Sequence, residues 1–242
     1  METSSDIIVV AAGSGKRVAA GINKMFVEIR GVPLLYRTLH SLNEARATNR
    51  IVVVLKQGER LQYEHMLKHW GALDKIECVA YGGETRADSA RAGLHCLRNS
   101  PQSDIVMIHD GARPFSTSNL IDRLTDSAKR FGAAIPVVGV GDTVRQMGKD
   151  RARVIDRSRI SLTQTPQAFR YDMIAPCFFS EEQLESHLTD DAAYIEKKGY
   201  HMEMVQGEKY NIKITTREDI AWAEFLLTRY PQLRMELREG RS

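Results

Sequence analysis

The residues best suited to chemistry stand near the N-terminus, in the stretch VVAAGSGKRVAAGINKMF at residues 9–26. An apolar run leads there into a loop with several glycines and cations, among them Gly13, Gly15, Lys16, Arg17 and Lys24. Glycines let main-chain N–H groups approach an anion, and each cation adds charge-assisted hydrogen bonds of roughly 1.5–3 kcal/mol. Exposed structural salt bridges contribute only roughly 0–1 kcal/mol. The stretch therefore predicts a loop that binds a triphosphate.

Two well-known phosphate motifs do not fit this loop. A dinucleotide fingerprint needs G-x-G-x-x-G, and Val18 stands at the third glycine position when the motif starts at Gly13. A P-loop needs G-x-x-x-x-G-K-[ST], and here Val10 replaces the first glycine and Arg17 the hydroxyl residue. The loop therefore disfavours both a nicotinamide-dependent oxidoreductase and a P-loop protein.

The elements that must position this loop alternate between strands and helices. Apolar runs are DIIVVAA, RIVVVLK, KIECVAY, DIVMIHD and AAIPVVGV, and helical spacing occurs in LLYRTLHSLNEA and RADSARAGLHCLRN. Continuous apolar strands with helical crossovers predict a parallel sheet covered on both faces, with ligands outside the carboxyl ends of the strands. The loops AAGSGKR, YGGETRADS and HDGARPF should therefore lie close together.

The pattern changes after about residue 139. The segments DTVRQ and ARVIDR flank the turn-like MGKD and predict a β-hairpin, but they carry too many charges for a buried sheet. We expect an arm at about residues 139–160 that projects from the body. A lone two-stranded ribbon is marginally stable, so we expect the arm to lean on a second copy of the chain in a homodimer.

The C-terminal third continues with helical and strand signals. SEEQLESHLTDDAAYIEKKG has helical spacing that Gly199 stops, and HMEMVQGEKYNIKIT predicts one or two strands. Thr215 and Glu218 stand at capping-box spacing before a last helix. The final PQLRMELREGRS is predicted to be a frayed tail.

Length and composition narrow the class of protein. The 242 residues, 43% of them hydrophobic, predict one domain over 1–242. A net charge of +3 is too small to indicate a nucleic-acid or membrane surface. Three cysteines without CxxC spacing argue against a zinc site and a disulfide framework. With no leader-like or membrane-spanning run, we expect a soluble, cytoplasmic protein.

Several motifs together resemble one family. AAGSGKRV…NKMF, GGETRADS, HDGARPF, DTVRQ…VIDR, TQTPQAF, TDDA and NIKITTREDI are similar, in order and spacing, to the motifs of 2-C-methyl-D-erythritol 4-phosphate cytidylyltransferases. The resemblance runs from about Asp6 to about Tyr230; its glycine loop alone indicates only the wider nucleotidyltransferase superfamily. The chain departs from the family pattern at Val10, Asn23 and Met25. The implied fold is α/β, a Rossmann-like nucleotidyltransferase three-layer fold with a mostly parallel sheet and a projecting β-hairpin dimerisation arm.

The resemblance implies that a polyol phosphate attacks the α-phosphorus of CTP and expels pyrophosphate. Arg17, Lys24 and Lys213 match the catalytic positions that hold the phosphates and stabilise the reacting phosphorus. Asp110 matches a position near the ribose and metal, which implies that it helps to place Mg²⁺. Such a reaction requires positioning and charge stabilisation rather than an enzyme nucleophile, and we find no Ser-His-Asp or Cys-His arrangement in the sequence.

The same resemblance implies the binding residues of both substrates. The nucleotide would contact residues of the three loops: Ala11, Ala12, Gly13, Gly15, Gly83, Glu84, Ser89 and Asp110. The polyol phosphate would contact Arg113 and Thr165 of one chain, with Thr143 and Arg157 supplied by the partner's arm.

Other interpretations remain open from the sequence. Ribitol-5-phosphate cytidylyltransferases share nearly all of these motifs and differ chiefly in the acceptor pocket, and a non-catalytic nucleotide-binding protein could use the same fold. Some candidates also have plain structural explanations. We expect Asp190 and Asp191 to serve a helix N-terminus, and His109 to be a packed strand-end residue without a role in the reaction. For Arg86 and Asp88, the plain alternative is a pair with each other.

Overall fold

Strands and helices alternate along the chain as the apolar pattern predicts. The computed structural model describes residues 4–13, 23–98, 103–149, 151–179, 190–233 and 235. Its strands are β1 (Ser5–Val10), β2 (Glu28–Ile29), β3 (Val32–Pro33), β4 (Thr48–Leu55), β5 (Ile76–Tyr81), β6 (Ile105–Asp110), β7 (Ala133–Gly139), β8 (Val144–Met147), β9 (Ala152–Ile155), β10 (Ser161–Thr163), β11 (Gln167–Arg170) and β12 (Glu203–Gln206). Its helices are α1 (Leu34–Glu44), α2 (Arg60–Trp70), α3 (Arg86–Arg98), α4 (Ser118–Phe131), α5 (Tyr171–Phe179), α6 (Ala192–Lys197) and α7 (Arg217–Arg229).

The central sheet has the order β10-β7-β11-β6-β1-β4-β5, with β12 paired to β7. β1 lies between β4 and β6 and runs parallel to both, and β5 continues the parallel set beside β4. The prediction of a mostly parallel sheet is therefore confirmed. β10 and β11, which the sequence pattern did not reveal, are antiparallel to their neighbours.

The two faces of the sheet bury separate apolar clusters, which gives the fold three layers. Alternate residues of β1 point to opposite faces, so Ile7 and Val9 pack with apolar residues of α1, α2, α4 and α7. Ile8 and Val10 pack instead with α3, α5 and α6. The β1 strand is thus buried on both sides, as expected for a central strand of a parallel sheet.

Helix α3 packs directly against β1 at Gly93, which presents no side chain to the strand. A Cβ at Gly93 would collide with the Ile8 side chain. This close approach sets the N-terminus of α3, with Arg86 and Ser89, beside the carboxyl ends of β1 and β5.

The arm is a separate two-stranded sheet formed by β8 and β9, which are antiparallel and pair Val144 with Ile155. Its turn closes through a hydrogen bond from Gly148 N to Arg151 O at 2.9 Å. Apolar Met147 and Val154 are 78% and 57% exposed. The predicted hairpin strands are confirmed.

The C-terminal predictions hold in part. Gly199 follows α6 with a positive φ of 79°, and one strand, β12, forms in the predicted strand region.

The predicted capping box is displaced by one residue: Thr216 caps α7 by accepting from Asp219 N, and the Asp219 carboxylate accepts from Thr216 N. Asp219 has a shorter side chain than Glu218, and its carboxylate reaches the backbone N–H of the cap residue Thr216. Thr215 and Glu218 therefore do not form the capping box. Residues 180–189 of the predicted helix, and most of the tail, lie outside the described residues.

Candidate active site

The three predicted loops meet at the carboxyl ends of β1, β5 and β6 around a cavity of about 220 Å³. It is lined by Val10, Ala12, Gly13, Lys24, Met25, Gly83, Glu84, Thr85, Arg86, Ser89, Asp110, Ala112 and Lys213. This volume is below the range of roughly 300–1,000 Å³ that is usual for ligand sites. Residues 14–22, which follow Gly13, lie outside the described residues and are not counted in the lining. A larger hollow of about 710 Å³ between α1 and the start of α4 contains none of the predicted site residues, so size alone does not identify the site.

Asp110 is the charged centre of this cavity. It ends β6, is only 7% exposed, and binds Arg86 Nε through Oδ1 at 3.0 Å and Lys213 Nζ through Oδ2 at 2.9 Å. Arg113 Nε lies 3.5 Å from Oδ2. Burial alone would raise the pKa of Asp110, but the charges of Arg86, Lys213 and Arg113 outweigh it and hold the pKa well below its usual range. Asp110 is therefore a carboxylate at neutral pH.

The catalytic lysines predicted from the resemblance converge on the same cavity. Lys24 lies in the short helical turn Lys24–Phe26, which begins where the Asn23 side chain accepts from Met25 N. The amide of Asn23 also donates to Glu59 at 2.6 Å and so ties the turn to the end of the β4–α2 loop. Lys24 Nζ donates to the carbonyl of Ile214 at 3.0 Å, one residue from Lys213. Arg17, Gly15 and the neighbouring Lys16 lie outside the described residues.

One wall of the cavity is built by close packing of small residues. A Cβ at Gly82 would come within 2.5 Å of the Ala12 Cβ and would also collide with Ser89 Oγ. Ser89 is buried and donates its hydroxyl to Thr85 O at 3.1 Å. Gly83 and the exposed Glu84 line the cavity beside it. A flat ring could therefore lie against main chain at this wall.

The first loop presents main chain to the cavity. Ala12 and Gly13 line it, and a Cβ at Gly13 would meet no other atom within 4 Å among the described residues. Ala11 is buried behind them, and its N–H donates to Val54 O at 2.8 Å. Ala12 and Gly13, rather than Ala11, are therefore the residues of this loop that face the cavity.

The predicted acceptor residues divide into two places. Arg113 is largely buried beside Asp110 and donates to Asn211 O at 2.8 Å. Thr165 is buried, and its hydroxyl accepts from Asp110 N at 3.0 Å and contacts His109 Nδ1 at 3.0 Å. Thr143 and Arg157 are exposed on the arm, where Arg157 donates to Gly141 O. The structure thus brings Arg113 and Thr165 to Asp110 and leaves the arm residues apart from the cavity of their own chain.

A buried polar network that the sequence did not reveal supports the strand end. Asn211 donates to Thr165 O at 2.9 Å and accepts from Ser116 Oγ at 3.0 Å. His109 Nε2 lies 3.2 Å from Arg113 O, and burial lowers the pKa of His109 to about 4. His109 is therefore a neutral, packed residue at physiological pH, as expected. No periodic signal marks Asn211, because its partners are 46 and 95 residues away.

Arg86 has different partners from the one suggested by the sequence. Its Nη1 binds Asp191 at 2.6 Å and its Nε binds Asp110 at 3.0 Å. Asp88 instead accepts from Thr85 Oγ1 at 2.7 Å and pairs with Arg91, so the alternative of an Arg86–Asp88 pair is wrong. Asp190 and Asp191 also differ: Asp190 caps α6 by accepting from Ala193 N at 3.0 Å, as predicted, whereas Asp191 holds Arg86.

Asp110 is the residue that could take part in holding Mg²⁺. Within the described ranges, no three His, Cys, Asp or Glu side chains form a group that could hold a metal ion. Mg²⁺ in phosphate-transfer sites commonly uses one or two carboxylates together with substrate phosphates. One Asp110 oxygen fits that arrangement, with substrate phosphates as the other ligands. A cage made of protein ligands alone does not fit.

Comparisons with known proteins relate the chain to one family. The family model described as 2-C-methyl-D-erythritol 4-phosphate cytidylyltransferase matches residues 6–229. A protein of that name from Geobacillus thermodenitrificans is 40% identical over 223 residues, which cover 92% of this chain and 96% of the relative. Another from Shouchella clausii is 37% identical over 221 residues, with 91% and 95% covered.

Solved structures show the same fold. The 4-diphosphocytidyl-2C-methyl-D-erythritol synthase from Anaerococcus prevotii superposes with a TM-score of 0.80 at 29% identity, covering 94% of this chain and 97% of that one. The 2-C-methyl-D-erythritol 4-phosphate cytidylyltransferase from Francisella tularensis gives 0.76 at 29% identity, with 92% and 99% covered. Within the described residues, no helix has the length and apolar character needed to cross a membrane.

Proposed function

The chain belongs to the 2-C-methyl-D-erythritol 4-phosphate cytidylyltransferase family, and we propose that it performs that family's reaction in the cavity around Asp110. It is a nucleotidyltransferase that joins CTP and 2-C-methyl-D-erythritol 4-phosphate to give CDP-methylerythritol and pyrophosphate. The observation that best supports this site is the convergence of Lys24 and Lys213 on one cavity beside Asp110.

The reaction we propose is a direct in-line displacement. A phosphate oxygen of the acceptor forms a bond to the α-phosphorus of CTP, and the bond from that phosphorus to the bridging oxygen breaks, so that pyrophosphate leaves with the electron pair. Negative charge grows on the oxygens of the α-phosphate during this step. Lys24 and Arg17 would stabilise that charge, and preorganised cations of this kind are among the strongest contributors to such catalysis.

Lys213 would hold the reacting phosphates from the opposite wall. Its side chain is 40% exposed, and its ammonium group already lies against Asp110 at 2.9 Å. An ammonium has three donors on a flexible stem, so it can keep one bond to Asp110 and give another to a phosphate. Asp110 thus orients a cation whose charge remains available to the cavity.

The charges around Asp110 suit an anionic ligand. Asp110 and Asp191 face Arg86, Arg113 and Lys213, with Lys24 nearby. Cations therefore exceed carboxylates in this part of the site. Mg²⁺, held by Asp110 and the nucleotide phosphates, would supply further neutralisation of the phosphate charge when bound.

The acceptor half of the site is completed, in this proposal, by a second copy of the chain. Thr143 and Arg157 are exposed on an arm whose Met147 and Val154 also face solvent. Exposed apolar residues on a two-stranded ribbon favour a covered position in an assembly. A homodimer would cover these residues and could bring the partner's Arg157 to the acceptor.

Pyrophosphate release tests this function and separates it from the ribitol alternative. The protein is incubated with CTP and Mg²⁺, with methylerythritol 4-phosphate in one tube and ribitol 5-phosphate in another. We expect release with the first acceptor only, in agreement with the names of the relatives reported above. Release with ribitol 5-phosphate alone would reassign the acceptor, and no release with either would contradict the proposal.

A further inference from the structure

We propose that Asp191 is a positioning residue of the reaction: through Arg86 it keeps one oxygen of Asp110 turned to the cavity for Lys213. This inference rests on the function proposed above. Asp191 belongs to the TDDA segment, whose carboxylates the sequence assigned only to a helix N-terminus. It touches the site through the Arg86 guanidinium rather than through the cavity wall.

Four charged groups form a chain that leads from the buried Asp191 to the cavity. Asp191 Oδ2 lies 2.6 Å from Arg86 Nη1, Arg86 Nε lies 3.0 Å from Asp110 Oδ1, and Asp110 Oδ2 lies 2.9 Å from Lys213 Nζ. Asp191 is 1% exposed. Each carboxylate therefore uses a different part of the planar guanidinium, and Asp110 keeps its second oxygen for the lysine.

The charge of Asp191 holds Nη1 of the Arg86 guanidinium, while Nε binds Asp110. Without the charge of Asp191, the buried Arg86 would retain Asp110 as its nearby counter-ion. A guanidinium and one carboxylate pair most strongly through two parallel hydrogen bonds, which would require both oxygens of Asp110. Arg86 would then compete with Lys213 for Oδ2, and the lysine would lose the contact that orients it.

The backbone of Asp191 is held independently of its carboxylate. The N–H groups of Asp191 and Ala192 both donate to the Gln167 side chain, at 3.1 and 3.0 Å. Gln167 begins β11 and is itself buried. A substitution that removes only the charge therefore leaves these anchoring bonds in place.

The adjacent residue offers a matched control. Asp190 accepts from Gln167 Nε2 at 3.2 Å and from Ala193 N at 3.0 Å. Neither contact involves Arg86, so Asp190→Asn removes the same charge from the same segment without touching the chain of ion pairs.

The test compares Asp191→Asn, Asp190→Asn and the wild type in steady-state kinetics with CTP, methylerythritol 4-phosphate and Mg²⁺. Because a small misplacement of a reacting group can cost on the order of 10²-fold, we expect kcat of Asp191→Asn to fall by about that factor. We expect the KM for CTP to change little and Asp190→Asn to stay near the wild type. An unchanged kcat in Asp191→Asn, or equal losses in both variants, would overturn the inference.

A double-mutant cycle with Arg86→Gln shows whether Asp191 acts through the arginine. We expect Asp191→Asn to lower kcat little further once Arg86 is replaced, since groups in one network are not additive. Fully additive losses would contradict the inference. If Asp191→Asn alone does not fold, the double variant is compared with Arg86→Gln instead, because it removes both charges of the pair together; a kcat far below that of Arg86→Gln would overturn the inference. An inactive wild type would instead contradict the proposed function.

Discussion

The cluster around Asp110 and the arm from β8 to β9 are built in opposite ways. The cluster ties β6, α3, α6 and the segment before α7 together through buried ion pairs. The arm strands pair only with each other in the described sheets, and their side chains are mostly exposed. One region is thus complete within a single chain, while the other acquires its proposed role only against a second copy. The nucleotide half of the site and the acceptor half should therefore respond differently to mutation.

The largest effect should come from removing a cation in the cluster. Lys24→Ala should lower kcat by about 10²–10³, the range found when one preorganised donor to a transition-state oxyanion is lost. CTP binding should remain measurable, because such a contact matters more to the transition state than to the ground state. Titration calorimetry with CTP and pyrophosphate release measure the two quantities. Lys68→Ala, on the exposed face of α2, is the control, and near-normal turnover of Lys24→Ala would remove that lysine from the mechanism.

A new negative charge on the arm should weaken the assembly of the dimer without weakening the fold of each chain. Val154→Asp should weaken the dimer and lower turnover while leaving the free energy of unfolding and CTP affinity of the chain near their original values. The reason is that Val154 is exposed in the chain and contributes little to its core. Analytical ultracentrifugation and urea unfolding measure the two effects. Gln146→Asp is the control, because it adds the same charge to the opposite face of the hairpin. A Val154→Asp variant that is as dimeric and as active as the wild type would show that the arm does not join two chains.

A third effect, on stability and not on turnover, should be a pH dependence that arises within the cluster. The pKa of His109 is lowered to about 4 by burial, whereas an unfolded histidine titrates near 6.5. Between these values the unfolded chain binds the extra proton, so stability falls as the pH drops from about 6.5 to about 4, by about 3 kcal/mol in all.

Urea unfolding at several pH values measures this slope. We expect His109→Gln to reduce it and His65→Asn, at an exposed position of α2, to leave it unchanged. An unchanged slope in His109→Gln would show that the histidine is not the titrating group.

Much of the scaffold could be predicted because its determinants are local. Apolar segments of seven or eight residues predicted β1, β4, β5, β6 and β7, and the rule for parallel sheets brought their loops to one edge. β11 was missed because four residues carry little periodic signal, and its place between β6 and β7 is decided by pairing with distant strands.

Site residues could be predicted from the sequence only where they belong to a recognisable motif. Lys24 stood out in the cation-rich loop at residues 9–26. Lys213 came from the resemblance alone, since nothing in the local pattern distinguishes it from a solvated strand lysine. The pairing of Arg86 with Asp191 spans 105 residues, so the nearby Asp88 looked like the natural partner. Long-range ion pairs of this kind depend on the packed fold, which short-range spacing does not encode.

Mixing two inactive variants tests most directly whether the active site joins the cluster of one chain to the arm of another. Lys24→Ala and Arg157→Ala are each expected to be nearly inactive alone. After subunit exchange, a mixed dimer contains one site with both residues intact, so equal mixing should restore roughly a quarter of the wild-type activity. Native mass spectrometry confirms that mixed dimers have formed. No recovery in their presence would contradict a shared site and would place Arg157 outside the partner's reaction.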